Sequence, residues 1–574
     1  MLKGVPQTMD ITSIKAILHN LSNEILPSKF KTAQQPEPST IQIGFRGINN
    51  INWIEVCWQG DCARIIKIDR PDKQGNASTL ARQLSCGLKY MALVSIKQDK
   101  FERVIQLEFA KKPGDEISKY LIFELMGKHS NIFFLDKNHK IITVGKQINS
   151  SKSSFRTIST GSLYSQPPAN LKKMPSINET YQSWKESIST VPVSLKDCLI
   201  KTYQGVSPTL TRQIEIHCNL NTTDIMNKNI DSISESNLKE IFESWRIWIN
   251  RFTNNEFQFS IFNEYFYCVW FLDYEINNQN NKDLVTGLEK YYDFHLKQRK
   301  IESLIKKIEG IIFRQTNSEK KNLNQQSNLL INSENHLIYK EKADNIFMSS
   351  EIKKRDVIEG QKLYKKSKKL KRAKELIKQR LSIYQSNLNR IEEFVTLLEN
   401  LNSLKEEEPS LKIKLLEEII EEICCEFNIK LKKQREDKKH ISEIESSPIQ
   451  IISPSGLVLQ IGRNMRQNDL ISFKFGRKGD LWFHAQESPG SHVVLKSSSQ
   501  AASEEDLQIA ADLAAFFSKA KRNIKVPVNL VKIKDLQKIS KGGPGCVSFK
   551  NVEIIWGNPT RGEDYIKKNL KKVI

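Results

Sequence analysis

The chain contains no long apolar run. Across its 574 residues no window of about 18 apolar residues occurs, which excludes a membrane-crossing helix. The opening stretch, MLKGVPQTMDITSIKAILHNL, lacks the apolar core and small-residue cleavage site of a secretory leader, so the expected compartment is the cytoplasm. Cysteine is sparse and unpatterned: the nine residues form no C-x-x-C pair, Cys57 and Cys62 lie five apart, and Cys424 and Cys425 are adjacent. An odd count without ligand spacing argues against a disulfide framework and fits buried thiols in a reducing compartment. Catalytic signatures are missing too. There is no G-x-x-x-x-G-K-[ST], no G-x-G-x-x-G after a strand, no H-E-x-x-H and no G-x-S-x-G. The Gly-rich SKGGPG, Ser540 to Gly545, has neither the Lys nor the helix of a phosphate loop. It reads as a tight turn, or as a place where backbone meets a sugar-phosphate.

What the chain has in excess is positive charge. The formal net charge is +22, which attracts polyanions: nucleic acid first, an anionic membrane surface second. Apolar residues make up 39%, below the usual ~45–50%, and so suit elongated, solvent-rich parts beside compact ones. At ~100–200 residues per domain the length predicts three to five units.

Residues 11–144 alternate a helix, several β-branched and aromatic strands (TIQIGFRG, NWIEVCWQ, ARIIKIDRP, ALVSIKQ, RVIQLEFA, YLIFELMG, NIFFLDKN, KIITVGK) and a second helix, STLARQLSCGLKYM. This predicts a mixed α/β domain closed by a long Ser-rich loop, SSKSSFRTISTGSLYSQPPANLKKMP. SLKDCLIKTYQGVSPTLTRQIEIH then reads as helix, turn, helix. Gly205 in the turn is either the backbone approach of a helix-hairpin-helix to a phosphate or a helix-corner glycine.

From residue 284 to 425, sparse aliphatics mark two coiled-coil seams. Ile301, Ile305, Ile308 and Ile312 form one; Ile377, Leu381, Tyr384, Leu388, Ile391, Val395 and Leu398 form the other. They predict an antiparallel arm with a small tip structure between them. Within Lys362–Arg380 ten basic residues, among them Lys365, Lys366, Lys368, Lys369, Lys371 and Arg372, face one acid, Glu375. A solvated helix face would mix signs at i, i+4; a one-signed run predicts a polyanion.

After residue 448 strands return: IQIISPSGLVLQIGR, DLISFKF, DLWFHA, HVVLK, VPVNLVKI, CVSFK and VEIIWG. One helix, SEEDLQIAADLAAFFSKAKR, carries a capping-box pattern at Ser503 and Asp506. The stretch DLWFHAQESPGSHVVL could supply a metal site from Asp480, His484 and His492, or a triad from Ser491, His484 and Asp480. It lacks a further ligand, and Ser491 lies in a Pro-Gly-Ser turn rather than a strained elbow. Two readings stay open: polar and aromatic groups held at an RNA or protein surface, or a structural Trp-and-His core.

Three motifs taken together, GRNMRQND, DLWFH and PGSHV, resemble the RNA-binding domain of the NFACT family. The segment order over essentially the whole chain is similar as well. The resemblance implies a multi-domain α+β fold with four parts: a mixed α/β N-terminal domain (1–175), a helix-hairpin-helix helical domain (176–282), a long antiparallel coiled coil with a small tip insertion near 335–362 (283–440), and an α+β RNA-binding domain (445–574). The match begins at Met9-Asp10, so Met9 is a possible start.

By the same resemblance the function is ribosome-associated quality control. The family binds a large (50S) ribosomal subunit obstructed by peptidyl-tRNA and recruits alanyl-tRNA for untemplated alanine tailing of the stalled chain. The ribosome makes the bond, so no enzyme activity, cofactor or metal is expected. The implied partners are rRNA, a stalk-base protein and tRNA, with the protein a monomer on the ribosome and no membrane partner. The implied tRNA-binding residues are Asp10, Gln98, Glu102, Arg103, Glu124, Met126 and Lys128, with a phosphate contact at Gly205. Glu102 stands where the family carries Asp, which bears on contact geometry and selectivity. From the residues alone, Glu102 and Arg103 also read as a strand-edge salt bridge. The implied RNA contacts of the C-terminal domain are Arg463, Asn464, Asn468, Asp480, Trp482, His484, Ser491 and His492. Rival readings are a surface fibronectin-binding adhesin, an RNA-binding protein without tailing activity, and a DNA glycosylase. The last lacks the N-terminal Pro such a nucleophile needs.

Overall fold

A computed structural model describes residues 6–48, 50–72, 78–98, 100–148, 156–167, 172–189, 193–219, 224–263, 266–271, 283–348, 353–403, 408–430, 446–540 and 542–570. The described residues divide into two compact units, one up to Arg299 and one over the described residues from Lys300.

In the first unit Asp10 caps helix α1 (Ile11–Ile25), its Oδ1 accepting from the Ser13 amide at 2.8 Å. A nine-stranded antiparallel sheet follows: β1 (Ser28–Glu37), β2 (Thr40–Arg46), β3 (Ile51–Cys57), β4 (Arg64–Ile68), then helix α2 (Thr79–Gly87), then β5 (Ala92–Gln98), β6 (Val104–Ala110), β7 (Lys119–Glu124), β8 (Asn131–Asp136) and β9 (Ile141–Val144). The order is β4-β3-β2-β1-β5-β6-β7-β8-β9. β1 joins the two halves of the sheet, yet its sequence, SKFKTAQQPE, carries few apolar residues and is not among the strands expected from the sequence.

Helices α3 (Tyr181–Ile188), α4 (Leu195–Thr202), α5 (Pro208–His217) and α6 (Glu235–Asn254), with the hairpin β10 (Ser260–Asn263) and β11 (Phe266–Cys268), enclose a second core. Aromatic rings dominate it. Trp245 lies 4.7 Å from Tyr203 and 5.0 Å from Trp248, ring centre to ring centre.

The arm is built from α7 (Leu284–Glu334), α8 (His336–Phe347), α9 (Lys354–Ser403) and α10 (Pro409–Glu426). The 51 residues of α7 span about 76 Å at ~1.5 Å per residue. The predicted seams face inward: Ile301, Ile308, Ile377, Ile391 and Leu398 are buried. Two hydrogen bonds between the helices show that they run antiparallel. Asn387 donates to Glu319 at 3.2 Å, and nearer the tip Ser367 donates to the His336 carbonyl at 2.8 Å. Of the stretch expected as a tip insertion, the described residues are helical over α8 and again from Lys354. α8 takes over from α7 after Asn335 and pairs with the first turns of α9, where Phe347 stacks on Tyr364 at 5.7 Å and the missing side chain of Gly360 makes room for Phe347.

The C-terminal domain holds β12 (Ile449–Ile452), β13 (Val458–Ile461), α11 (Met465–Asp469), β14 (Leu481–Ala485), β15 (Val493–Leu495), α12 (Glu504–Phe516), β16 (Val526–Lys532), β17 (Leu536–Lys538), β18 (Val547–Phe549), β19 (Glu553–Gly557) and α13 (Pro559–Leu570). Its main sheet runs β12-β13-β15-β14-β16-β19, with α12 packed on one face. The capping box at Ser503 and Asp506 forms. One predicted strand, DLISFKF, is instead a helical turn. Asn464 caps α11, and the helix runs on through Leu470–Lys474 with Ile471 and Ser472 turned inward. A short apolar run does not by itself distinguish strand from helix. Among the described residues no helix is long and apolar enough to cross a membrane.

Candidate nucleic-acid interface

Three segments of the first unit converge. Asp10 stands at the start of α1, residues 100–103 lie between β5 and β6, and Gln204 and Gly205 form the α4–α5 turn. Gly205 adopts φ +77, and a Cβ there would lie 2.9 Å from the Phe101 carbonyl oxygen, so only glycine lets the two turns touch. Gln204 Nε2 donates to Glu102 Oε1 at 2.6 Å, and Gln98 Nε2 donates to the Glu102 carbonyl at 3.1 Å. Phe101 stacks on Phe252 of α6 at 5.0 Å and anchors the turn from behind. The close approach that the sequence assigned to Gly205 is thus made by protein backbone.

This clamp leaves hydrogen-bonding capacity unused. Asp10 Oδ2 and Gln98 Oε1 are buried atoms with no partner among the described residues. Arg103 forms no salt bridge of 4 Å or less among them, although Asp10 and Glu102 attract it. Burial pushes the Asp10 carboxyl above its ordinary range, against the Ser13 hydrogen bonds and the Arg103 charge. Burial likewise pulls the Arg103 guanidinium down against both carboxylates, and it remains a cation. A half-buried planar guanidinium that keeps its charge and holds no ion pair within 4 Å among the described residues can grip a phosphate. The alternative reading, a Glu102–Arg103 salt bridge, is not seen among the described residues; Glu102 is held by Gln204.

Glu124 serves the fold. Its carboxylate accepts from Arg156 Nη1 and Nη2 at 2.9 and 2.8 Å and from the Tyr164 hydroxyl at 2.8 Å. Arg156 and Tyr164 come from the Ser-rich run that reads as a plain loop. Beyond Glu124, Met126 is half-buried and Lys128 exposed. Gly60 permits the β3–β4 turn to pass against them, since a Cβ there would meet Lys128 backbone at 2.9 Å.

On α9, Lys365, Lys368, Lys369, Lys371 and Arg372 are exposed. Lys366, exposed as well, lies over the Tyr339 ring at 4.1 Å and donates to its hydroxyl at 2.9 Å. The remainder is a solvent-facing row of one sign.

In the C-terminal domain most of the implied RNA contacts are interior. Asn464 Nδ2 donates to Glu418 Oε2 at 2.7 Å, and Glu422 accepts from the Met465 and Arg466 amides at 3.1 and 2.8 Å; these bonds join α11 to α10. Burial pushes the Glu422 carboxyl up to about 7. The Arg463 guanidinium donates to the Ser447 carbonyl. Asn468 Oδ1 accepts from the His492 amide at 3.1 Å. Asp480 is wholly buried and accepts from the Arg477 and Ser498 amides at 2.9 and 3.0 Å and from Lys496 at 3.0 Å, which together with the nearby charge hold its carboxyl low despite burial.

Trp482 is buried, stacked on His484 at 5.6 Å and edge-on to His492 at 5.0 Å, while His492 Nδ1 bonds Ser472 Oγ at 2.8 Å. Ser491, also buried, donates its amide to the Phe517 carbonyl at 3.0 Å. Arg463, Asn464, Asn468, Asp480, Trp482, Ser491 and His492 therefore shape the domain rather than present themselves to RNA. Of this set only His484 keeps partial exposure. Among the described residues no three His, Cys, Asp or Glu gather as a metal site.

Residues 10–357 match the family described as NFACT N-terminal and middle domains, and residues 449–551 match the NFACT protein RNA binding domain. The chain belongs to the NFACT family. It is 28% identical over 490 residues to "Rqc2 homolog RqcH" of Streptococcus suis, covering 82% of this chain and 83% of that protein. It is 25% identical over 504 residues to the Bacillus subtilis protein of the same name, covering 81% and 82%. A solved structure of the C-terminal part of the fibronectin/fibrinogen-binding protein from Streptococcus suis is 28% identical, with a TM-score of 0.38, and covers 48% of this chain and 98% of that one.

Proposed function

We propose that this NFACT protein acts in ribosome-associated quality control as a cytoplasmic, non-enzymatic adaptor. It binds the large subunit carrying peptidyl-tRNA through rRNA and a stalk-base protein. It recruits alanyl-tRNA so that the ribosome itself extends the stalled chain with alanine. The curated relatives named Rqc2 homolog RqcH and the match to an NFACT RNA binding domain support the RNA and ribosome part.

The observation that carries the tRNA part is Arg103, a half-buried cation near Asp10 and Glu102 that forms no salt bridge of 4 Å or less among the described residues. Glu102 is a positioning residue in this scheme. Its carboxylate reaches Gln204 and fixes the turn, which fits a longer side chain than the family's Asp.

The test is to purify the tagged protein from cells with a translation block, sediment it with ribosomal particles and sequence the bound RNA. Wild type is expected on large subunits with tRNA enriched in alanine acceptors, and Arg103→Ala is expected to keep the subunits and lose the tRNA. Recovery of no ribosomal particles would sink the ribosome reading. Equal tRNA recovery by both forms would sink the role of Arg103.

A further inference from the structure

The C-terminal sheet has a second face, turned away from α12, on which two rows of side chains cross the strands. His484 of β14 pairs with Asn529 of β16, which pairs with Ile554 of β19. One step along, the Gln486 amide donates to the Pro527 carbonyl at 2.8 Å, and Pro527 pairs with Trp556. With strands ~4.8 Å apart, the rows span about 10 Å. Alternate residues Phe483, Val528 and Ile555 turn to the α12 side.

The outer end of this face is open. Trp556 is 58% exposed and Ile554 51%, while Pro527 and His484 are partly exposed. An exposed tryptophan beside an exposed isoleucine marks a surface that meets something. The charge nearby names the chemistry. Residues 519–550, which lead into β16 and link it to β19, hold nine Lys or Arg and one acid, Asp535. Arg522, Lys525, Lys532 and Lys550 are exposed, Glu553 alternates to the α12 side, and Glu487 stands exposed beyond β14. A bare strand edge would also invite a protein strand, but the Trp556 carbonyl on that edge already accepts from Gln508 Nε2 at 2.9 Å.

We propose that this face binds single-stranded RNA, with a base stacked on Trp556 and the phosphates following Lys525 and Lys550. The inference rests on the C-terminal domain being an RNA-binding module, and adds a contact at residue 556, beyond the matched 449–551. A flat indole accepts any base, so the site takes unpaired RNA with little sequence preference.

Full-length protein is photo-crosslinked to a short oligouridine carrying 4-thiouridine, and affinity is read by fluorescence anisotropy of the same oligomer. Crosslinks are expected on the peptide containing Trp556. Trp556→Ala is expected to abolish them and to weaken binding roughly tenfold, while Trp556→Tyr restores most of it. Lys525→Ala with Lys550→Ala should flatten the salt dependence. Melting of the Ala variant within a few degrees of wild type excludes a folding defect, as its exposure predicts.

Crosslinks confined to α9, or Trp556→Tyr as weak as Trp556→Ala, overturn the stacking site and leave the RNA-binding reading intact. So does a protein strand captured on β19 with RNA binding unchanged. Wild-type protein that binds no RNA of any kind overturns the reading itself.

Discussion

Trp482 and His492 pack edge to face inside the C-terminal domain, the partly exposed His484 stacks on Trp482, and desolvation decides the protonation of the two histidines. Desolvation pulls His484 down to about 4 and His492 well below its ordinary value, where the neighbouring His484 adds repulsion. The unfolded chain takes up these protons near pH 6.5, whereas the folded domain resists. Stability is therefore full above pH 6.5 and is lost as pH falls toward 4. Glu422 behaves oppositely: its raised pKa means that folding binds the proton, so its joint weakens as pH rises from about 4.5 to 7. Hydrogen exchange by mass spectrometry, corrected for intrinsic rates, should show β14 and β15 opening more at pH 5 than at pH 7.5. The α10–α11 peptides should change in the opposite sense. His492→Asn, which keeps a partner for Ser472, should flatten the first trend; an unchanged β14 profile would refute the assignment.

A second residue-scale prediction concerns Glu124, 2% exposed and bound by Arg156 and Tyr164. Removing one partner of a buried ion pair costs about 3–5 kcal/mol, so Glu124→Ala should lower the calorimetric transition of the first unit clearly and Glu124→Gln less. Motif residues are legible in the sequence, but their orientation is not. Asp480 and Asn468 carry binding chemistry, and only the structure reveals that backbone amides already occupy them. Arg156 gives no sequence signal, since its partner lies 32 positions away across an irregular loop.

Among the elements, those with a strong period are legible. The arm seams follow the 3.5-residue repeat, and most strands alternate or run apolar. β1 escapes a sequence reading because its burial is supplied by neighbours rather than by its own composition. The Leu470–Lys474 turn misleads one because cap and packing override a short apolar run. The α9 row carries its own test. Replacing Lys365, Lys368, Lys369, Lys371 and Arg372 by Gln keeps helix propensity nearly constant, so circular dichroism should not change. The slope of log binding constant for large subunits against log salt should shrink by about 0.7–0.9 for each phosphate that the row no longer neutralises. An unaltered slope would mean that the row is only a solvated face.

For the whole molecule, a net charge of +22 makes a polyanion partner legible from composition alone, while the division of labour between parts is not. That division can be tested by shortening the arm. The base of the bundle holds itself together through Ile301, Ile308 and Ile311 of α7, Phe394, Leu397 and Leu401 of α9, and Leu415, Leu416 and Ile419 of α10. Residues beyond the Glu319–Asn387 bond add the solvent-exposed hairpin and its basic row without contributing to that core. Deleting residues 320–386 and closing the gap with a short Gly-Ser linker should leave the thermal transitions within a few degrees, because loop closure at this point costs little. If the first unit holds tRNA and the arm reaches the ribosome, the shortened chain keeps its affinity for free tRNA. Its co-sedimentation with large subunits then falls at least about tenfold, the expected weakening when several phosphates go unneutralised together. Loss of tRNA binding with subunit binding retained would reverse the two roles, and loss of both with the core still folded would mean that the arm serves one continuous RNA surface.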